Sequence, residues 1–175
     1  MPINTKEILA RKYLEISSQK SIDRISVKEL VCLCGISRQA FYYHFQDIFE
    51  VAAYANELRV REILAASHDT NNLSKALFIF ISFFSENLTT TKKQLESQKY
   101  RQFESLLNQM IRMYLKELVR KSTQTFSPSD LDASIEFCTG GVYHMLMTKA
   151  GKSPSEDAQL AEQLAQLIKG EIALF

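Results

Sequence analysis

The stretch that decides the fold is ISVKELVCLCGISRQAFYYHF, residues 25–45. Ser26 is a residue type that caps helices, and Glu29 lies three positions later, as in a capping box where each side chain bonds the other's amide. Apolar side chains then recur at helical spacing until Gly35, which suits the left-handed turn that ends many helices. Ser37 can cap the next helix. The stretch therefore predicts two short helices joined by a tight turn.

The second of these helices has two distinct sides. Phe41 and Phe45 are four residues apart, so they anchor one side to a core. A short helix braced by another is the helix-turn-helix arrangement, whose second helix lies in a DNA major groove about 12 Å wide. Arg38 can reach the edge of guanine, and Gln39 can pair with adenine. Polar groups further along the helix can contact phosphates and fix the register. The predicted DNA-contacting residues are Ser26, Lys28, Ser37, Arg38, Gln39, Tyr42, Tyr43 and His44.

Composition supports a compact helical protein. The 175 residues are 46% hydrophobic and include only 5 glycines and 3 prolines, which disfavours an all-β fold. The net charge is +1, yet residues 1–45 carry seven basic and four acidic side chains. A second basic excess over residues 92–121 is interpreted as a solvated helix face. The charge distribution is therefore compatible with a polyanion partner at the N-terminal end.

Caps and apolar spacing divide the rest of the chain into helices. The predicted helices are 5–19 with Thr5 as cap, 47–67 opened by Asp47, the strongly apolar 73–88, 94–123, 128–149 and 154–172. We expect Thr89–Thr91 to interrupt the apolar helix. The two sequences Ser-Pro-Ser-Asp from Ser127 and Ser-Pro-Ser-Glu from Ser153 are the clearest helix starts, because each places a proline at the first helical position.

The sequence lacks the short motifs that are typical of metal sites, phosphate-binding loops and catalytic serines. Cys32 and Cys34 lack both a C-x-x-C spacing and two further ligands, so we interpret them as small packing residues. Glycine-rich phosphate loops and G-x-S-x-G are absent. We therefore expect no catalytic residue, cofactor or metal, and no enzyme. The first residues form no signal peptide and no segment is suited to a bilayer, so we expect a cytoplasmic protein without a membrane partner.

Residues 5–66 resemble the DNA-binding domain of the TetR family of bacterial transcription regulators. The matching residues are Ser26, Val27, Gly35, Ile36, Ser37, Phe41, Tyr42, Tyr43, His44 and Phe45. Length, the sequence FCTGG at 137–141 and the last helix start resemble the DhaS-like subgroup. The resemblance implies an all-α fold. A three-helix helix-turn-helix head, residues 1–47, would be joined by a long fourth helix to an antiparallel helical body, residues 48–175.

The chain departs from the family pattern at two places. Gln39-Ala40 stands where many relatives have Gly-Thr, which would change the operator that is read. Ile48 stands where many relatives have a lysine, which would remove a phosphate contact at the start of the fourth helix. These departures support an alternative, a helical protein-interaction module that has lost DNA binding. An enzyme is the weakest alternative.

The last two helices suggest an interface. Gly140 and Gly141 inside a helix each cost roughly 1 kcal/mol relative to alanine, and close approach of another helix is the usual compensation. We expect helices 128–149 and 154–172 to pair with their copies in a homodimer, as in TetR-like proteins; a single compact core is the alternative. The predicted dimer residues are Gly140, Gly141, His144, Leu160, Leu164 and Leu167.

The apolar body suggests either a ligand pocket or a solid core, and the sequence leaves both open. The candidate pocket residues are Phe80, Phe84, Phe103, Met110, Tyr143 and Met147. The sequence and the resemblance together predict a homodimeric regulator that binds a roughly palindromic double-stranded DNA operator. We expect a repressor modulated by a small molecule or a partner protein, while the DhaS-like resemblance allows activation through a co-activator protein. Operator sequence, effector and controlled genes are not encoded in these patterns.

Overall fold

A computed structural model describes residues 4–67, 72–120 and 127–170 of the chain. In these ranges the chain forms nine α-helices, one 3₁₀ turn at Ile22–Arg24 and no strand, so the predicted all-α fold is confirmed. The helices are α1 (Thr5–Ser17), α2 (Val27–Cys34), α3 (Arg38–His44), α4 (Ile48–Ala66), α5 (Leu73–Glu86), α6 (Leu88–Leu95), α7 (Tyr100–Arg120), α8 (Pro128–Lys149) and α9 (Pro154–Lys169). None of these helices is long and apolar enough to cross a membrane.

The serine-proline helix starts are confirmed. The Ser127 hydroxyl accepts a hydrogen bond from the Asp130 amide at 3.2 Å, and Ser153 accepts one from the Glu156 amide at the same distance. Each proline occupies the first turn, where its missing N–H removes no helical hydrogen bond. Local chemistry is therefore sufficient to start α8 and α9.

The start of α1 differs from the prediction by one residue. Asn4, not Thr5, is the cap, since its side-chain oxygen accepts from the Glu7 amide at 3.4 Å. Asparagine and threonine are both accepted at this position, so residue type alone could not choose between them.

The predicted break at Thr89–Thr91 is wrong. The chain turns two residues earlier, at Asn87, whose side-chain nitrogen donates to the Phe83 carbonyl at 2.8 Å. The threonines lie in α6, and α7 begins at Tyr100 rather than at residue 94. Residues 121–123 of the predicted long helix lie outside the described ranges.

Packing divides the chain into two compact units. The first comprises residues 1–59 and 89–106, and the second comprises 60–88 and 107–175. The chain passes between them within α4, after the first residue of α6 and within α7. These units are defined by contacts between residues, whereas the predicted division at residue 47 comes after the helix expected to read DNA. That functional division stays a prediction.

The first unit is built around two aromatic rings of α3. Phe41 is fully buried and Phe45 is 5% exposed. They belong to one buried cluster with Leu9 of α1, Leu30 of α2 and Val51 of α4. This cluster holds α1, α2 and the start of α4 around α3.

The second unit packs α9 chiefly against α5. Within it, the Phe80 ring stacks on Tyr114 with ring centroids 4.5 Å apart. The Tyr114 hydroxyl donates to the Ala76 carbonyl at 2.7 Å. Burial of this ring raises the pKa of Tyr114 to about 12. Phe80 therefore has a packing role in the core of this unit.

Two predicted dimer residues belong to this core instead. Leu160 and Leu164 are each 3% exposed, because the face of α9 that carries them is covered within the chain. Leu167 lies at the margin of that face and is 39% exposed. The sequence correctly indicates an apolar face on α9, but that face is covered within the subunit.

The connection between α8 and α9 depends on a glycine and a buried carboxylate. Gly151 has a left-handed φ of +78°, and its amide donates to Asp157 at 2.9 Å. A Cβ at Gly151 would lie 2.7 Å from Leu88 Cδ2 at the start of α6. Glycine is therefore favoured here by the left-handed conformation, and a Cβ would also require the end of the Leu88 side chain to move.

We predict that Gly151→Ala lowers the free energy of unfolding by about 1–2 kcal/mol from the left-handed backbone, with a smaller further loss because the end of the Leu88 side chain must move. Urea unfolding measures the change. Gly35→Ala is the matched control, because Gly35 has φ +65° but no described atom within 4 Å of its Cβ position. It should cost only about 1 kcal/mol. Equal losses in the two variants would contradict the role of Leu88.

We also predict a loss of stability at alkaline pH that depends on Tyr114. The unfolded chain releases the phenol proton near pH 10, whereas the folded chain retains it until about 12. The stabilisation is therefore present below pH 10 and is lost between these values. Tyr114→Phe should flatten this fall by about 1.4 kcal/mol between pH 8 and pH 11, measured by urea unfolding at pH 8, 10 and 11. Tyr43→Phe, at a side chain that is 84% exposed, should leave the fall unchanged.

Candidate nucleic-acid interface

The helix-turn-helix forms where the sequence places it. Gly35 takes the left-handed conformation at the end of α2, and the Ile36 amide donates back to the Val31 carbonyl at 3.1 Å. Ser37 then caps α3, its hydroxyl accepting from the Ala40 amide at 3.0 Å. The turn between the two helices is therefore held by local hydrogen bonds.

The aromatic residues of α3 divide between the inside and the outside. Phe41 packs edge-on against Tyr42, with centroids 5.2 Å apart, while its own ring is fully buried. Tyr42 is 59% exposed and Tyr43 is 84% exposed. Aromatic side chains that are this exposed leave apolar surface in water, which does not stabilise the isolated chain. They form a surface suited to a partner.

The other predicted DNA-contacting residues are also accessible. Seven of the eight are exposed: Ser26, Lys28, Ser37, Arg38, Gln39, Tyr42 and Tyr43. His44 is partly buried and contacts the Tyr43 ring edge-on, with centroids 4.9 Å apart. Among the described residues, no acidic side chain pairs with Arg38. The guanidinium is therefore available for a ligand in this chain.

The start of α2 differs in one detail from the expected capping box. The Ser26 hydroxyl accepts from the Glu29 amide at 3.2 Å, as predicted. The Glu29 carboxylate, however, pairs with the Lys20 ammonium from the connection after α1. This ion pair attaches α2 to the segment that precedes it.

Cys32 does not have the packing role that the sequence suggested, since it is exposed on α2. Cys34 is partly buried against the core of the first unit, and this burial raises the pKa of its thiol. Within the described ranges, no group of three or more His, Cys, Asp or Glu side chains could hold a metal ion.

Two lysines near the base of α4 were not found by sequence reasoning. The Lys6 ammonium lies over the rings of Phe45 and Tyr54, 5.5 and 5.7 Å from their centroids. The Lys99 ammonium lies 5.1 Å from the centroid of the Phe49 ring. Ile48, the second departure from the family pattern described in the sequence analysis, is 8% exposed and belongs to the core.

The candidate pocket residues do not all belong to one unit. Phe80, Phe84 and Met110 are buried, whereas Tyr143 and Met147 are partly buried; all five lie in the second unit. Phe103 is partly buried in the first unit. The stacking of Phe80 on Tyr114 matches the solid-core alternative for that residue.

The outer face of α8 is open in the single chain. Phe137 is 82% exposed, and Gly140, Gly141 and His144 are exposed with it. The opposite side of the helix is buried, with Val142 2% exposed. A Cβ at either glycine would meet no described atom within 4 Å. Packing among the described residues therefore does not explain the glycine pair.

Comparison with known proteins identifies the fold. No protein-family model matches the chain. A solved structure described as dihydroxyacetone kinase operon activator DhaS superimposes with a TM-score of 0.62, covering 99% of this chain and 98% of that one at 20% identity. The chain has the fold of DhaS. The DhaS-like resemblance predicted from the sequence is thus confirmed at the level of the fold.

Sequence comparison also finds DhaS. The HTH-type dhaKLM operon transcriptional activator DhaS of Lactococcus lactis subsp. lactis (strain IL1403) is 24% identical over 115 residues. This match spans 62% of the chain and 62% of the length of that relative. A TetR-family transcriptional regulator from Syntrophomonas wolfei str. Goettingen is 14% identical, with a TM-score of 0.49 and 97% of each chain covered.

Proposed function

We propose that this chain is a sequence-specific DNA-binding transcriptional regulator. The observation that carries the proposal is the outer surface of α3, where Arg38, Gln39, Tyr42 and Tyr43 are exposed while Phe41 anchors the helix. An arginine and a glutamine in the first turn of such a helix can read guanine and adenine edges. The tyrosine hydroxyls can contact phosphates, which positions the helix without reading sequence.

The compared proteins support this function. DhaS, which matches in both fold and sequence, is described as an HTH-type transcriptional activator of an operon. This agrees with the prediction that the present chain is not an enzyme. As part of the proposal, the regulator acts on DNA in the cytoplasm. DhaS is described as an activator, whereas the family resemblance favours a repressor. A reporter with the operator placed within or upstream of the promoter decides the sign.

We further propose that the regulator is a homodimer formed through the outer face of α8. Phe137 supplies an exposed apolar anchor, and Gly140 and Gly141 leave room for a second helix to approach closely. A two-fold dimer presents two copies of α3, and these would read a roughly palindromic site. Leu160 and Leu164 are excluded from this surface by their burial.

Selection of bound DNA from a random pool at stated salt tests the proposal. Enrichment of a two-fold motif supports a dimeric regulator, because each half-site would be read by one copy of α3. Absence of any enriched motif would instead favour the protein-interaction module. A small molecule or partner protein as effector stays a prediction of the sequence and is tested on the selected site.

We predict that Arg38→Ala weakens binding to the selected site by about 1–3 kcal/mol and relaxes preference at one base pair. The reason is loss of a bidentate contact to a base edge. Fluorescence anisotropy with single-base variants of the site measures both effects. Tyr42→Phe is the comparison, since losing a phosphate contact should weaken binding to all sequences alike. A uniform loss for Arg38→Ala would assign it to the phosphates instead.

We predict that Phe137→Asp converts the dimer to a monomer at micromolar concentration, because a buried, unpaired carboxylate replaces an apolar anchor. Size-exclusion chromatography with light scattering measures the mass against the 20.1 kDa of one chain. Ser105→Asp, an exposed position on α7, is the charge-matched control and should remain dimeric. A wild-type mass of one chain would contradict the proposed dimer.

A further inference from the structure

The outward side of α8 carries a continuous stripe of exposed residues. Positions three or four apart lie on the same face of a helix. At this spacing the α8 stripe consists of Ala133, Phe137, Gly140, Gly141, His144 and Thr148, and each of these residues is exposed. Phe137 and His144 are the two ring-bearing members of the stripe, so their positions decide what can pack against it.

The α8 stripe is symmetric about the bond between Gly140 and Gly141. Phe137 precedes this glycine pair by three positions, and His144 follows it by three. A two-fold axis through the bond and perpendicular to the helix pairs each residue with the residue equally far on the other side. In such a pair of helices, Phe137 of one copy faces His144 of the other.

The small residues of the stripe allow two helices to approach closely. A Cβ at either glycine meets no described atom within 4 Å, so the space above the pair is open. Facing glycines bring helix axes nearer than the usual roughly 8–10 Å. By the same symmetry, Ala133 faces Thr148 of the other copy. The Thr148 hydroxyl donates to the His144 carbonyl at 2.8 Å, so it needs no water in a closed interface.

The charges at the two ends of α8 favour an antiparallel pair. Asp130 lies in the first turn and Lys149 in the last, and the exposed Lys152 follows the helix. An antiparallel pair places the acidic end of one copy beside the basic end of the other, and the helix dipoles oppose. A parallel pair places like charges together. Charge complementarity therefore selects the antiparallel arrangement.

We propose that two copies of α8 pair antiparallel about the Gly140–Gly141 bond, with Phe137 of each copy packed against His144 of the other. This inference rests on the proposed homodimer and adds its register and its choice of partner. Two aromatic rings pack favourably edge to face, and the symmetry forms this contact twice in each dimer. A helix without both rings at this spacing fits less well, so the register favours a second copy of this chain over another helical regulator.

A double-mutant cycle tests the contact between the two rings. The dimer dissociation constant is measured by sedimentation equilibrium for Phe137→Ala, His144→Ala and the double variant. We expect each single change to raise the constant at least tenfold. The double variant should fall at least fivefold short of the product of the two effects, because either single change already removes the shared contact. With Ser105→Ala in place of His144→Ala, the effects should simply multiply. Multiplication in the His144 cycle would overturn the register.

Spin labels test the direction of the helices. The label is attached at Ser134→Cys, an exposed position beside the stripe, after Cys32, Cys34 and Cys138 are replaced by serine. Antiparallel pairing separates the two labelled positions by about 20 Å along the helices, at 1.5 Å per residue. Parallel pairing leaves them about 10 Å apart, and that distance would overturn the inference. Light scattering on the wild type separates the two proposals: a mass of one chain overturns the homodimer itself, whereas a dimer without coupling overturns the register alone.

Discussion

Burial of Phe41 and Phe45 is the constraint on which the candidate interface depends. The helix α3 runs only from Arg38 to His44, and an isolated helix of this length is unstable in water. Its orientation therefore comes from the two rings held among α1, α2 and α4. Fixing the residues at i and i+4 inward also forces Tyr42 and Tyr43 outward. The same packing that stabilises the head thus creates its reading surface.

Features set by local chemistry could be predicted from the sequence. The caps at Ser26, Ser37, Ser127 and Ser153 each need only a hydroxyl and an amide three residues later. The exposure of Tyr42 likewise follows from helical periodicity, since its neighbour Phe41 faces the core. These predictions needed no knowledge of distant contacts.

Features set by distant contacts could not be predicted. Three threonines in a row disfavour a helix, but they lie in α6, where Thr91 and Gln94 are buried. Gln94 is held there by hydrogen bonds to main-chain groups of residues 17–22. The partners of Gln94 lie 72 to 77 positions away in the chain. An apolar face on α9 is visible in the sequence, yet nothing local says that α5 covers Leu160. The apolar face of α9 is recognisable from the sequence, but the sequence prediction assigns that face to a second subunit instead of to another helix of the same chain.

The glycines show how the structure separates internal constraints from external ones. Gly151 is explained inside the chain, by its left-handed φ of +78° and the nearby Leu88 side chain. Gly140 and Gly141 have ordinary helical conformations and open space around them, so alanine would fit there and would favour the helix by about 1 kcal/mol each. Their cost is not offset by any contact within the described residues. Because Phe137 is exposed on the same face, the compensating contact is best sought in a second copy of the chain.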